Sequence, residues 1–365
     1  MIYNTPCRLG PSNRREQQVK NRTIQLAAAS VASLLTLTAC GGDDSGQASE
    51  DGMTEVRVLI PAESPIEYPH RVAEAEGYFE EEGIKSTYQY AGGSSEVIQQ
   101  LVAGNGDVGV TCASAIVDAY AQGFTQVRPA FTTVYGSIFG MAVPDGSDVQ
   151  DPADLEGQTI GISDPAGGEV PIVRGILKAA GLSDQDVNLL PIGEGTAVAL
   201  KAIEDGKVDA VGGSFSDFVA LRVQGLGLRP VGADTIEDLP ACGVVVTEEY
   251  LQDNRDVVEG FLRGSAKGVV FGQNNPEATL EILREASPDG FEGDLGTGLV
   301  DLYMPLMAPP EGEPIGGITA ESYQSYIDFV GAEAPEEDLN DLINDDLVEA
   351  ANDFDVAEVE SDAQN

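Results

Sequence analysis

Apolar positions along the chain follow two alternating spacings, one typical of strands and the other of helices. Residues 56–60, which are apolar except for Arg57, predict a buried strand, and a helix is expected over 70–82, with Val72 and Phe79 on its apolar face. A second strand over 84–90, another helix and a third strand continue the pattern. Alternating strands and helices favour a mostly parallel sheet covered by helices.

The same pattern returns later in the chain. Four positions recur with identical spacing in two stretches, namely Ile98, Leu101, Gly104 and Asp107, and later Leu200, Ile203, Gly206 and Asp209. A second echo relates residues 139–143 to residues 242–246. Any two α/β lobes share part of such a sequence pattern, but the two repeats occur in the same order along the chain, which favours two similarly built lobes.

These repeats predict the domain organisation. We expect lobe 1 to comprise residues 54–136 and 241–331, and lobe 2 to comprise residues 137–240, so that two crossing segments form a hinge. Helices are predicted to pad lobe 1 at 255–271, 277–285, 299–307 and 320–329. Residues 332–365 are predicted to be an acidic C-terminal tail in which a short helix can form.

The first residues of the chain predict export. A basic stretch is followed by a short apolar one, which is typical of a secretory signal peptide over residues 1–39. Residues 37–40 (LTAC) resemble the lipobox of bacterial lipoproteins, so Cys40 is expected to carry the lipid, although an ordinary signal with a chance cysteine stays open. Residues 40–53 would be a flexible spacer, and the protein would be extracytoplasmic and tethered to the cell membrane.

Charge and cysteine content exclude several function classes. The formal net charge of −43 repels phosphate backbones, so no nucleic-acid partner is expected. One histidine and four cysteines lack the spacing of a zinc site, so neither a metal nor another cofactor is predicted. Attraction of a cationic ligand and a merely solvated acidic surface both explain the charge.

Several motifs in the expected order resemble one family. Residues 77–84 (GYFEEEGI) resemble a signature of extracytoplasmic solute-binding proteins for sulfonates, nitrate and thiamine precursors. Residues 92–94, 101–108, 154–161 and 275–277 follow in the family's order. The resemblance implies the type II periplasmic-binding-protein fold: two α/β lobes, each with a mostly parallel sheet, delivering ligand to an ABC permease without catalysis. It also implies that Cys112 and Cys242 end antiparallel neighbouring strands, where a disulfide or close contact is expected.

Ligands of open α/β sheets bind beyond the carboxyl ends of the strands, where loops lead into helix N-termini. The serines and threonines of these loops are either helix caps or ligand contacts. We expect the single histidine, His70, to lie on the surface. The candidate ligand-binding residues are Tyr68, Gly92, Ser94, Ser95, Cys112, Tyr135, Asp164, Gly167, Gly168, Glu169, Thr196, Ser214, Phe215 and Asp217.

The same loops hold six carboxylates and almost no basic residues, with aromatic side chains nearby. This composition favours a heterocyclic or amine-bearing organic ligand resembling a thiamine precursor. Two alternatives stay open: a sulfonate- or nitrate-type anion-binding protein of the same fold, and a sensor lipoprotein that presents its ligand to a membrane receptor. The pyrimidine synthases that share the fold use a cysteine-rich loop, which this chain lacks, so we expect no enzyme, and we expect a monomer.

Overall fold

The computed structural model describes residues 52–165, 167–193, 195–343 and 345–364. The predicted signal peptide, Cys40 and most of the predicted spacer therefore lie outside the described residues. Within the described part of the chain, no helix combines the length and the apolar character needed to cross a membrane.

Two five-stranded sheets form the centres of the two lobes over these residues. The first has the order β2-β1-β3-β10-β4, and the second has the order β7-β6-β8-β5-β9. The first sheet contains β1 (Thr54–Ile60), β2 (Ile84–Tyr90), β3 (Val108–Cys112), β4 (Val127–Tyr135) and β10 (Pro240–Thr247). The second contains β5 (Phe139–Pro144), β6 (Thr159–Ile162), β7 (Asn188–Pro191), β8 (Ala210–Ser214) and β9 (Leu228–Val231).

The two sheets share one topology. In each, the first three strands in sheet order are parallel, and the fourth strand (β10 or β5) is antiparallel to both of its neighbours. The sequence echo between 139–143 and 242–246 thus relates strands in equivalent positions. The predicted α/β fold with two similar lobes is confirmed.

A hydrogen-bonding pattern explains why aspartate recurs before the third strand of each lobe. The carboxylate of Asp107 accepts from the backbone N–H of Arg57 at 2.7 Å, and that of Asp209 accepts from the N–H of Thr159 at 2.8 Å. Each aspartate N–H donates back to the carbonyl of the same residue. The repeated aspartates therefore tie β3 to β1 and β8 to β6 where β3 and β8 begin.

Helices cover both faces of the sheets. Those of the first half of lobe 1 are α1 (Tyr68–Ala75), α2 (Tyr78–Glu81), α3 (Ser94–Val102) and α4 (Ala113–Ala121), and those of lobe 2 are α5 (Val170–Ala179), α6 (Thr196–Glu204) and α7 (Phe215–Val223). After β10 come α8 (Glu248–Asp253), α9 (Arg255–Asn274), α10 (Pro276–Ala286), α11 (Gly293–Leu306) and α12 (Ala320–Val330). Short 3-10 turns occupy Pro65–Glu67, Pro152–Leu155 and Ala233–Thr235.

The single helix predicted over 70–82 is wrong, because two helices occupy this stretch. The chain leaves the helical conformation at Gly77, whose φ of 81° lies in the left-handed region. A residue with a side chain is strained in that conformation, so glycine is favoured at the break. Val72 and Phe79 are nevertheless both buried, as the apolar spacing predicts.

Two expectations about the C-terminal part of the chain also need correction. Helix α12 contacts α4 and β10 of lobe 1 as expected, but the ring of Phe329 also packs against Gly175 of α5 in lobe 2. The acidic tail holds three short helices, α13 (Leu339–Leu342), α14 (Leu347–Ala351) and α15 (Val356–Asp362). Leu347, Ala351 and Val359 are buried in the core of lobe 1, so the tail is part of the folded lobe.

The hinge consists of the connections from β4 to β5 and from β9 to β10. The N–H of Ser137 donates to the carbonyl of Ile236 at 3.0 Å, which joins the two crossings. A disulfide links Cys112 to Cys242, which are directly paired on the antiparallel strands β3 and β10. It therefore crosslinks two neighbouring strands of the lobe 1 sheet, one of which, β10, follows the second hinge connection.

Candidate ligand-binding cleft

A cavity of about 430 Å³ lies at the carboxyl ends of the lobe 2 strands. Its walls come from the loops that follow β6, β7 and β8 and from the first turns of α5, α6 and α7. All residues that line it belong to lobe 2. Six predicted site residues are brought together here: Gly167, Gly168, Glu169, Thr196, Ser214 and Asp217.

Glu169 is the most deeply held polar group of this cavity, with 5% of its surface exposed. Its Oε1 accepts from the N–H of Ser163 at 2.8 Å and from the Ser163 hydroxyl at 2.7 Å. Gly167 permits this arrangement, because a Cβ there would lie 2.5 Å from Glu169 Oε2 and from Ser163 Oγ. The loop thus folds around the Glu169 carboxylate, and a glycine at position 167 leaves the space that this side chain occupies.

Ser214 and Asp217 form a capping box at the start of α7. The N–H of Asp217 donates to Ser214 Oγ at 3.2 Å, and the Ser214 hydroxyl donates to Asp217 Oδ2 at 2.6 Å. Both residues also line the cavity, so capping and proximity to the ligand site coincide at this helix. The same expectation of capping is wrong for Ser94 and Ser95, because the N-cap of α3 is Gly93 and no side chain caps it.

The cavity is rich in acceptors. Its lining contains the carboxylates of Glu169 and Asp217 and no lysine or arginine. The hydroxyls of Ser163, Thr196 and Ser214 and the N-termini of three helices add polar groups. Phe139 and Phe218 supply apolar wall, and the ring of Phe139 lies against Gly168. Such a site can hold a ligand that combines an apolar ring with N–H or O–H donors.

The corresponding strand ends of lobe 1 carry a neutralised ionic cluster. Glu67 is 1% exposed and accepts from Arg71 Nε at 2.9 Å and from the Tyr90 hydroxyl at 3.3 Å. The Arg71 guanidinium lies 3.7 Å from the centroid of the Tyr88 ring. Burial is the largest single cause and lowers the Arg71 pKa, but the charge and the hydrogen bond of Glu67, with contributions from Tyr88 and Tyr90, together outweigh it, so the pKa is raised. Arg71 is thus held by the protein itself, and a bound anion would compete with Glu67 for it.

Other predicted site residues lie away from the cavity of lobe 2. Gly92 lies in the β2–α3 loop of lobe 1, Ser94 and Ser95 are the first two residues of α3, and none of the three lines the cavity. Asp164 is exposed, and its carbonyl accepts from the N–H of Gly167 at 2.9 Å, closing a turn of the same loop that holds Glu169. The ring of Phe215 packs against Gly140, while Phe218, three residues further along α7, lines the cavity.

Two of the side chains expected on the cleft wall, Tyr68 and Cys112, are buried, and a third, Tyr135, lines a different cavity. Tyr68 is 1% exposed and packs against Gly272 of α9, so it is a core residue. Cys112 is buried in the disulfide. The Tyr135 hydroxyl accepts from the N–H of Gly316 at 2.8 Å, and its ring faces a separate cavity of about 450 Å³ beside the hinge.

His70, expected on the surface, is fully buried. Its Nδ1 lies 2.9 Å from Ser265 Oγ, and its ring stacks on Phe261 with centroids 5.3 Å apart. Burial, with a smaller contribution from Arg71, lowers the His70 pKa to about 3. The histidine is therefore a neutral core residue.

Several lining residues were not among the predicted site residues, and Phe218, Leu221 and Ser163 are three of them. Phe218 and Leu221 follow Ser214 at helical spacings of four and seven, so the start of α7, once located, would have identified them. Ser163 donates hydrogen bonds to Glu169 across a tight loop, and no residue spacing in the sequence predicts this contact.

The chain matches a family model described as NMT1/THI5 like over residues 67–279. It belongs to that family. Two relatives are named as binding proteins. One is a riboflavin-binding protein from Chloroflexus aurantiacus, which is 27% identical over 230 residues, 62% of this chain and 64% of that protein. The other is a formylaminopyrimidine-binding protein from Halalkalibacterium halodurans, which is 24% identical and covers 72% of this chain and 79% of that protein.

A third relative is named as an enzyme. It is the 4-amino-5-hydroxymethyl-2-methylpyrimidine phosphate synthase of Legionella pneumophila, which is 25% identical and covers 62% of this chain and 71% of that protein. Among solved structures, a sulfonate-binding protein from Methylobacillus flagellatus superposes with a TM-score of 0.63 at 14% identity, covering 82% of this chain and 94% of that one. This likeness establishes the periplasmic-binding-protein fold.

Proposed function

We propose that this protein is the solute-binding component of an ABC importer and captures a small nitrogen-containing heterocycle between its lobes. The observation that carries the proposal is the acceptor-rich cavity at the carboxyl ends of the lobe 2 strands, where Glu169 is held by the Ser163 loop. Ligands of open α/β sheets bind at such strand ends. The names of the riboflavin- and formylaminopyrimidine-binding relatives support this ligand class.

The charges near the cavity support a neutral or cationic ligand over an anion. The lining carboxylates of Glu169 and Asp217 oppose a sulfonate, and Arg71 is already paired with Glu67. Three helix N-termini nevertheless point toward the cavity, which favours anions. A sulfonate-type anion is therefore the second candidate, and it is supported by the name of the structural neighbour.

We further propose an extracytoplasmic location with a lipid on Cys40 and an ABC permease as partner. The lipobox supports the anchor, and the Cys112–Cys242 disulfide supports an oxidising compartment. Metabolic labelling with a fatty-acid analogue tests the anchor. Label should be incorporated by the wild-type chain and lost in Cys40→Ser, and equal labelling of both would refute it.

A thermal-shift series tests the ligand class. Riboflavin and formylaminopyrimidine serve as heterocyclic probes, and an alkanesulfonate serves as the anionic probe. A ligand at a hundred times its Kd stabilises the folded state by about 2.7 kcal/mol, which raises the melting temperature measurably. Stabilisation by a heterocycle supports the proposal, and stabilisation by the sulfonate alone would transfer the assignment to the second candidate.

Glu169→Gln sharpens this test, because it removes the charge and preserves the shape of the side chain. A hydrogen bond to a charged group contributes about 1.5–3 kcal/mol, so binding of a donor-bearing heterocycle should weaken roughly tenfold or more. Glu156→Gln, an exposed position outside the cavity, is the matched control and should bind as the wild type does. If Glu169→Gln binds the heterocycle unchanged, this carboxylate does not recognise the ligand.

A further inference from the structure

Besides the hinge and the packing of α12 on α5, the two lobes touch at a further place outside the cavity. There α7 of lobe 2 meets α11 of lobe 1. Ser216 Oγ lies 3.0 Å from the Tyr303 hydroxyl, and Val219 is 6% exposed and buried with residues of the lobe 1 core. A Cβ at Gly298 would lie 2.8 Å from Val219 Cγ1, so the helices approach closely at this point.

Helix α7 uses two different faces for the cavity and for this contact. Ser214, Asp217, Phe218 and Leu221 line the cavity, at the spacings that place residues on one side of a helix. Ser216 and Val219 lie on another side and contact α11. A rigid helix that carries both faces cannot rotate toward a ligand without changing its contact with α11.

The α7–α11 contact is small and mixed in character, as a reversible contact should be. Tyr303 is 2% exposed, and its hydroxyl interacts with Ser216 of the other lobe. Separation of the lobes would break this hydrogen bond, hydrate the hydroxyl and expose Val219. Burial also raises the Tyr303 pKa, so the hydroxyl stays protonated at physiological pH.

We infer that Ser216, Val219 and Tyr303 form a closure latch, a set of positioning residues that tune ligand affinity without touching the ligand. The inference rests on the proposed function, because it assigns these residues to ligand capture. A weaker latch lowers the fraction of closed protein. The apparent affinity then falls by the same factor, mainly through faster dissociation.

The first test needs no ligand, so that it stands apart from the proposed function. Small-angle X-ray scattering of the ligand-free full chain compares the wild type with Tyr303→Phe and Ser216→Ala. Both variants should shift the scattering profile toward a larger radius of gyration. Tyr120→Phe is the matched control, because it removes a buried tyrosine hydroxyl that donates to Val127 within lobe 1, and its profile should match the wild type.

The second test measures the affinity for whichever probe stabilises the wild type, with riboflavin tried first. Tyr303→Phe and Ser216→Ala should each raise the Kd three- to tenfold. The Kd of the double variant should not exceed that of the weaker-binding single variant, because the same hydrogen bond is lost in all three. Scattering profiles and affinities indistinguishable from those of Tyr120→Phe would overturn the latch. If no probe binds the wild type, the proposed function fails, and the scattering alone decides the latch.

Discussion

The Cys112–Cys242 disulfide should be a major contributor to the stability of lobe 1. It closes a loop with a sequence separation of 130 residues, and this loop contains the whole of lobe 2. The chain-entropy model assigns a crosslink of this length about 5 kcal/mol, and measured values are typically about 2–4 kcal/mol. Both cysteines are buried, so replacing them by alanine also leaves a small cavity, which adds to the loss.

The double substitution Cys112→Ala/Cys242→Ala removes the bond and leaves no unpaired thiol on these strands. Urea unfolding followed by far-UV circular dichroism is the assay, because the chain contains no tryptophan to serve as a fluorescent reporter. We expect the transition midpoint to fall by about 1 M or more. Wild-type protein in reducing agent is the control and should approach the variant. Equal midpoints for the variant and the oxidised wild type would refute the reasoning.

Two further predictions concern buried groups. The folded-state pKa of His70 lies below its unfolded value, so stability is complete above about pH 6.5 and falls by up to about 1.4 kcal/mol per unit as the pH drops toward 3. His70→Phe should make unfolding less sensitive to pH in that window, and an unchanged slope in urea titrations would contradict the assignment. Truncation after Gly331 removes the buried Leu347 and Val359, each worth about 1.5–3 kcal/mol. The truncated chain should melt well below the full chain in calorimetry, whereas an unchanged melting temperature would show that the tail does not stabilise lobe 1.

Local chemistry made much of the fold predictable. Residues 58–60 are apolar because this part of β1 is covered on both faces, and such runs allow the order of strands and helices to be predicted from the sequence. The capping box of Ser214 and Asp217 lies within four residues, and its role follows from its own spacing. The loops after β6, β7 and β8 could likewise be located, because glycines and helix starts mark the ends of these strands.

The tertiary structure alone decided which aromatic and titratable side chains are buried. Tyr68 belongs to the core because Gly272, about two hundred positions later, leaves room for its ring. His70 is neutral because Phe261 and Ser265 of α9 cover it. The acidic tail folds because lobe 1 offers an apolar surface to Leu347 and Val359. Burial depends on contacts between distant segments, and such contacts leave no periodic trace in the chain.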